Sequence, residues 1–256
     1  MSIPAWLGLA MTTFGAALLQ AAGGFGFAVV ATPLYLMMVE PAIAVHLVII
    51  IAAILSVGVL PRLRHAVAPG LLFRLSLGSV VGLPLGLIAF RYSDPAVVRA
   101  IAGAIVLGFA VLLMVLHGRR PRPNPPPHAG EGRVGVLRAS RNRDVAAGVV
   151  SGAATALVGM AGPPVLIYLL LAGAASQVIR ATLLAFFGCV YAATLAAHAV
   201  TIGIPARTWL SAGALLPFAI VGGFAGRRLG DRLGNDTFTR LAIALLTVAG
   251  LFTLLQ

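Results

Sequence analysis

Two stretches of this sequence offer backbone chemistry in surroundings where reactive side chains are scarce. GGFGFAVVATPLYLMM at 23–38 and VGMAGPPVLIYLL at 158–170 are apolar, yet both carry glycines and prolines. Gly costs a helix interior about 1 kcal/mol and Pro about 3 kcal/mol, so each stretch predicts a broken helix. A break exposes N–H groups at the start of the half-helix that follows, and these attract an anion. Pro suits the first turn of such a half-helix, and Gly lets a ligand approach the backbone. Gly23, Gly24, Gly26, Thr32 and Pro33 in the first stretch are therefore candidate anion-binding residues. Gly159, Gly162, Pro163, Pro164 and Tyr168 are their counterparts in the second. The competing explanation for one such stretch is a proline kink with close helix packing. A matched pair makes that explanation weaker.

Ionisable side chains are few inside the apolar runs. His46 and His198 are the two histidines there. A buried His serves as proton relay or anion donor, or simply hydrogen-bonds a carbonyl; His46 joins the candidate anion site. Arg180, in SQVIRATLL, suits a charge-assisted pair with an oxyanion, or a snorkelling anchor at the membrane surface. Glu40 sits at a segment end, where water can reach it. Gln20, Tyr35, Thr155 and Gln177 are further polar groups near the breaks. Serines and histidines lie in scattered segments without an activating carboxylate, which argues against an enzyme. The single cysteine, Cys189, excludes an internal disulfide and Cys-built metal sites. The chain has no Lys, so it has no phosphate-binding Gly-x-x-x-x-Gly-Lys loop. No cofactor or metal is expected.

The elements that must position these residues lie in a bilayer. Of 256 residues, 60% are hydrophobic and 9% charged, and the mean hydropathy is +1.05. Such a composition predicts an all-α polytopic protein of the inner or plasma membrane. The formal charge of +12 does not point to nucleic acid, because the arginines fall in short connectors between apolar runs. Their partners are anionic membrane lipids. The first run lacks a basic n-region and more runs follow, so it reads as a membrane segment, not a cleaved signal.

Apolar segments run at about 4–22, 25–39, 42–60, 69–90 and 96–117, and again at about 145–160, 163–175, 178–202, 208–225 and 236–255. Between them, 118–144 is rich in Arg and Pro and reads as a flexible cytoplasmic linker. The halves, 1–117 and 145–256, look alike. Gly78, Gly82 and Gly86 are spaced by four, as are Gly222, Gly226 and Gly230. Such stripes let helices pack closely, within one chain or between two copies, so a homodimer is an open alternative. Each stripe is followed by a polar turn and a matched helix start, with Arg99 and Arg240 in the same place. This is a tandem repeat. With the linker inside and ten segments alternating, only Arg91, Arg99 and Arg207 fall outside, the best fit to the positive-inside rule. An odd number of segments per half then makes the repeats inverted. Whether 25–39 and 163–175 span the membrane or re-enter is open. Paired broken segments at matching positions point to a binding site near the midplane, with one half rocking against the other.

The two Gly-rich breaks, each leading into a Pro-bearing short segment, resemble the TauE/SafE sulfite exporter family. So do the small-residue helix and the helix beginning near Asp94-Pro95. GMAGPPVLIYLL followed by VIRATLLAFF carries the resemblance best, and it extends over nearly the whole chain. The first break, GGFGFAVVATP, has fewer glycines than many relatives. The resemblance implies a permease for sulfite, a sulfonate or a related small sulfur anion, moved outward. An anion channel on the same scaffold is the alternative.

Overall fold

A long apolar run inside a bilayer satisfies its backbone only as a helix, and prolines fix where several of these helices begin. Pro41, Pro69 and Pro95 each open one, where the missing N–H is not needed and the fixed φ suits the first turn. The computed structural model describes residues 3–23, 26–63, 65, 67–118, 141–171, 176–230 and 235–254. These form α1 (Ile3–Gly23), α2 (Phe27–Leu36), α3 (Pro41–Leu63), α4 (Pro69–Tyr92) and α5 (Pro95–Gly118). The second half holds α6 (Arg141–Val158), α7 (Gly162–Leu171), α8 (Ser176–Thr201), α9 (Ala206–Gly230) and α10 (Asn235–Leu254).

Every predicted segment holds one helix. Among the described residues, α3, α4, α5, α8 and α9 are long and apolar enough to cross a membrane. The protein is an all-α polytopic membrane protein. The two short helices α2 and α7 have 10 residues each. At 1.5 Å per residue each covers about 15 Å, half of a hydrocarbon core of about 30 Å. Most of the predicted linker, 119–140, lies outside the described residues. Positions 141–144 are helical, because α6 begins at Arg141 with Asp144 in its first turn, where a carboxylate is stabilised by the exposed N–H groups.

The glycine stripes decide which helices touch. A Cβ at Gly78, Gly82 or Gly86 on α4 would overlap the backbone of Val145, Val149 or Ala153 on α6. From the other side, Gly148 and Gly152 on α6 meet the backbone of Leu75 and Ser79 on α4. Gly222 and Gly226 on α9 meet the backbone of Phe14 and Leu18 on α1 in the same way. These stripes are used within the chain, and each joins a helix of one half to a helix of the other. Opposite the stripe, Leu77, Val81, Leu85 and Ile88 of α4 are exposed, as side chains facing lipid should be.

Advancing the count by five turns one set of contacts into another. The α4·α6 pair becomes α9·α1, and α3·α9 becomes α8·α4; α3·α8 and α5·α10 map onto themselves. The rising numbers above make α4 parallel to α6 and α1 parallel to α9. In α3·α8 the order reverses. His46 meets His198, while Val57 meets Gly188. In α5·α10, Gly103 faces Leu254 and Leu107 faces Gly250, again antiparallel.

Candidate functional site

The broken helices meet at the centre. The first break runs from Gly23, the last residue of α1, to Gly26, which caps α2 in an extended conformation (φ −64, ψ 134). Gly24 lies outside the described residues. The second break opens at Gly159 with φ +73, a conformation Gly adopts without the strain of a Cβ. It closes at Gly162, the first residue of α7, followed by Pro163 and Pro164. The half-helices α2 and α7 touch, and the ring of Phe187 on α8 lies against both starts. A Cβ on Gly162 would sit 3.3 Å from its Cζ, and one on Gly26 3.5 Å from its Cε2.

Backbone freed by the second break is satisfied from within. Gly159 N–H donates to the Thr155 carbonyl at 2.9 Å and Met160 N–H to that of Ala154 at 3.5 Å. Ala161 N–H reaches the Tyr191 hydroxyl at 3.5 Å, and Ser151 Oγ donates to the Ala161 carbonyl at 2.5 Å. Pro163 and Pro164 bring no N–H. A low-dielectric interior demands this pairing, so the donors expected at 159–161 are already engaged.

At one end of the bundle α1, α3, α8 and α9 line an open cavity of about 350 Å³. Gln20, Arg180 and Arg227 are its polar side chains; the described lining contains no carboxylate. Arg227 stacks over the Phe224 ring with 4.6 Å to the centroid, and its Nε donates to the Gly223 carbonyl at 3.3 Å. Arg180 Nη2 reaches the Ala21 carbonyl at 3.5 Å. Gln20 Oε1 is buried with no hydrogen-bond partner. Leu184 lies one turn deeper along α8 and also lines the cavity. Phe187, deeper again on α8, lies against both breaks.

The far end is closed by His46 and His198, which are 2% and 0% exposed. Eight residues of α3 separate His46 from Ile54 on the cavity wall, about 12 Å of helix. The imidazoles are bonded, His46 Nε2 to His198 Nδ1, at 3.0 Å. Phe90 of α4 packs on both rings, with centroid distances of 6.1 Å and 5.1 Å.

A third cluster ties α7 to α4 and α6. Tyr168 donates its hydroxyl proton to Asp144, whose other oxygen pairs with Arg74 Nε at 2.5 Å. Asp144 is fully buried and Arg74 30% exposed. The stripe contacts make Val149 the counterpart of Leu18, and hence Asp144 the counterpart of Thr13. The Thr13 hydroxyl is bonded to that of Tyr35 on α2 at 2.6 Å. Each half thus anchors its short helix through a tyrosine, and only the second half uses a charge.

The predicted residues therefore separate into groups. Gly26, Gly162 and Pro163 lie at the centre; Thr32 and Pro33 are buried within α2, with Thr32 Oγ1 lacking a partner. Arg180 is exposed in the cavity, Tyr168 is engaged by Asp144, and His46 is at the opposite end. Sequence reasoning passed over Phe187, Arg227 and Asp144. Arg227 reads as a membrane-surface anchor and Phe187 as ordinary lipid-soluble bulk. The one available signal is that Arg227 follows directly on a glycine stripe, so it must lie near the partner helix.

No curated protein and no solved structure matches the chain. The profile of the sulfite exporter TauE/SafE family matches residues 9–253, a span that holds both breaks, the cavity and the histidine pair. The chain belongs to the sulfite exporter TauE/SafE family and is a multi-pass membrane transporter.

Proposed function

We propose that the chain is a secondary transporter that exports a small anion, sulfite or an organosulfonate, by alternating access. The observation that carries this is the cavity. Two guanidiniums with no carboxylate among the described lining residues suit a compact oxyanion, and the planar fork of Arg matches two of its oxygens. Turned over, the Gln20 amide offers donors to the same ligand. From there the path runs past Leu184 and Phe187 to Gly26, Gly162 and the unpartnered Thr32 hydroxyl. The distribution of Arg supports a cytoplasmic face for the cavity, where an exporter collects its substrate. With the interior negative, each negative charge leaving gains about 2.3 kcal/mol per 100 mV. Export of an anion therefore needs no obligatory coupling ion.

Equivalent helices that meet antiparallel, as α3·α8 and α5·α10 do, are related by a two-fold axis across them. In a bilayer such an axis lies in the membrane plane, so we read the halves as inverted repeats. The glycine contacts leave no room for sliding at α4·α6 or α1·α9. The moving bodies are then α4–α6–α7 and α1–α2–α9, each mixing the two halves, and not one half rocking against the other.

The test is anion flux from proteoliposomes under a potassium-diffusion potential, with sulfite, sulfoacetate, taurine, sulfate and a carboxylate control. Saturable, potential-driven flux of one sulfur anion is expected. Arg227→Gln should lower it about tenfold, as loss of one charge-assisted hydrogen bond implies. Non-saturating flux would make the protein a channel. No flux of any panel member from folded protein would sink the sulfur-anion assignment.

A further inference from the structure

The His46–His198 pair lies away from the cavity, and its hydrogen bonds fix its protons. His198 Nε2 is 3.0 Å from the Ala156 carbonyl, which only accepts, so Nε2 carries a hydrogen. The Nδ1 of neutral His198 is then bare and accepts from His46 Nε2–H across 3.0 Å. Both hydrogens of the neutral pair are assigned, and His46 Nδ1 is the remaining vacant position. A proton added there leaves every bond intact and strengthens the central one by charge. A second proton would have to go to His198 Nδ1, where it would face the His46 N–H, donor against donor. The closed pair therefore holds one added proton at most.

Among the described residues, no carboxylate is hydrogen-bonded to either ring. The charged groups at this end of the elements packed here are Glu40 before α3, Arg91 ending α4, Asp94 and Arg99 beginning α5, and Arg207 beginning α9. The bonds described above from the two rings go to none of them. On α6 the nearest is Asp144, 12 residues from Ala156 and about 18 Å along the helix, paired with Arg74. Tyr35, Tyr168 and Tyr191 are each bonded elsewhere.

We propose that the His46–His198 pair is a one-proton site that controls opening of this end of the transporter. The pair joins α3 to α8 and, through Ala156, to α6, so this end cannot open without parting it. Once parted, each imidazole is in water and can take its own proton, two in all. The open end thus binds more protons than the closed end, and acid on that face favours opening. The opening rests on the alternating-access reading, but its readout needs no substrate.

Two measurements on the full chain test this. Nitrogen-15 NMR of histidine, from pH 8 to 5, should reveal two coupled imidazoles that share one proton. His46→Gln keeps a donor toward His198 Nδ1 and should abolish that step. Two histidines titrating independently, or neither titrating, would overturn the site. Opening is read by thiol labelling of Thr194→Cys in a Cys189→Ser background, since Thr194 is buried one turn from His198. Its rate is divided by that of Tyr92→Cys in the same background, an exposed site at the same end of the bundle, which cancels the thiol's own pH dependence. The ratio should rise as pH falls, by up to about tenfold per pH unit for one proton, and stay flat in the double variant His46→Gln, His198→Asn, which has no imidazole here. Equal pH responses in the two backgrounds would overturn the gating role. If the double variant does not fold, His198→Asn alone replaces it, because His46 then takes the same single proton in the closed and the open end and the ratio again stays flat.

Discussion

Arg227, Phe187 and Asp144 do different work with side chains that look incidental in the sequence. Phe187 fills the space between Gly26 and Gly162. Phe187→Ala should cost about 3 kcal/mol of stability and join the cavity to the breaks, raising anion flux and weakening its saturation. Thermal unfolding in detergent and flux from proteoliposomes check the two parts. Asp144 is buried beside Arg74. Arg74→Met strands its carboxylate and should cost about 3 kcal/mol, whereas Arg74→Met with Asp144→Leu should recover most of the loss. The same unfolding assay decides this, and an unrecovered double variant would mean that Tyr168 depends on the carboxylate.

At the scale of elements, glycine is not one thing in this protein. Gly82→Leu would drive a side chain into the Val149 carbonyl and should destabilise by about 3 kcal/mol or more, since overpacking typically costs 1–3 kcal/mol. Gly223 has nothing within 4 Å of an added Cβ and lines the cavity. Gly223→Leu should therefore leave the melting temperature nearly unchanged while lowering flux, the opposite signature. The antiparallel α3·α8 pair offers a mechanical test. Cysteines replacing both His46 and His198 in a Cys189→Ser background should, once bridged by a short bifunctional methanethiosulfonate, arrest transport, and reduction should restore it. Transport that continued through the cross-link would show that this end does not part during the cycle.

The whole molecule has near-symmetric contacts and asymmetric chemistry. One end carries a cavity with two arginines; the other is packed shut around two histidines and Phe90. The short helices are anchored by a tyrosine in both halves, to neutral Thr13 in one and charged Asp144 in the other. A transporter that stops with one end open needs such a difference, because a symmetric molecule would have no preferred resting side. Orientation is testable directly. In a Cys189→Ser background, Tyr92→Cys should react with a membrane-impermeant thiol reagent from outside intact cells, and Gly70→Cys only after permeabilisation. Reversal of both would turn the cavity outward and remove the argument for export.

The apolar runs determined the ten helices of the described residues and their order, because in lipid a long uninterrupted run has no other way to satisfy its backbone. Gly and Pro marked both breaks for the same local reason. The repeated glycine stripes announced close packing, and the order of motifs announced the family. Tertiary structure alone decided what each stripe packs against, since a run of small residues specifies a distance and not a partner. It alone brought Arg180 to Arg227 and His46 to His198, 152 residues apart. It also turned the second break from an expected set of open donors into a backbone held by Ser151 and Tyr191, because a hydroxyl that satisfies a break can come from any helix that reaches it.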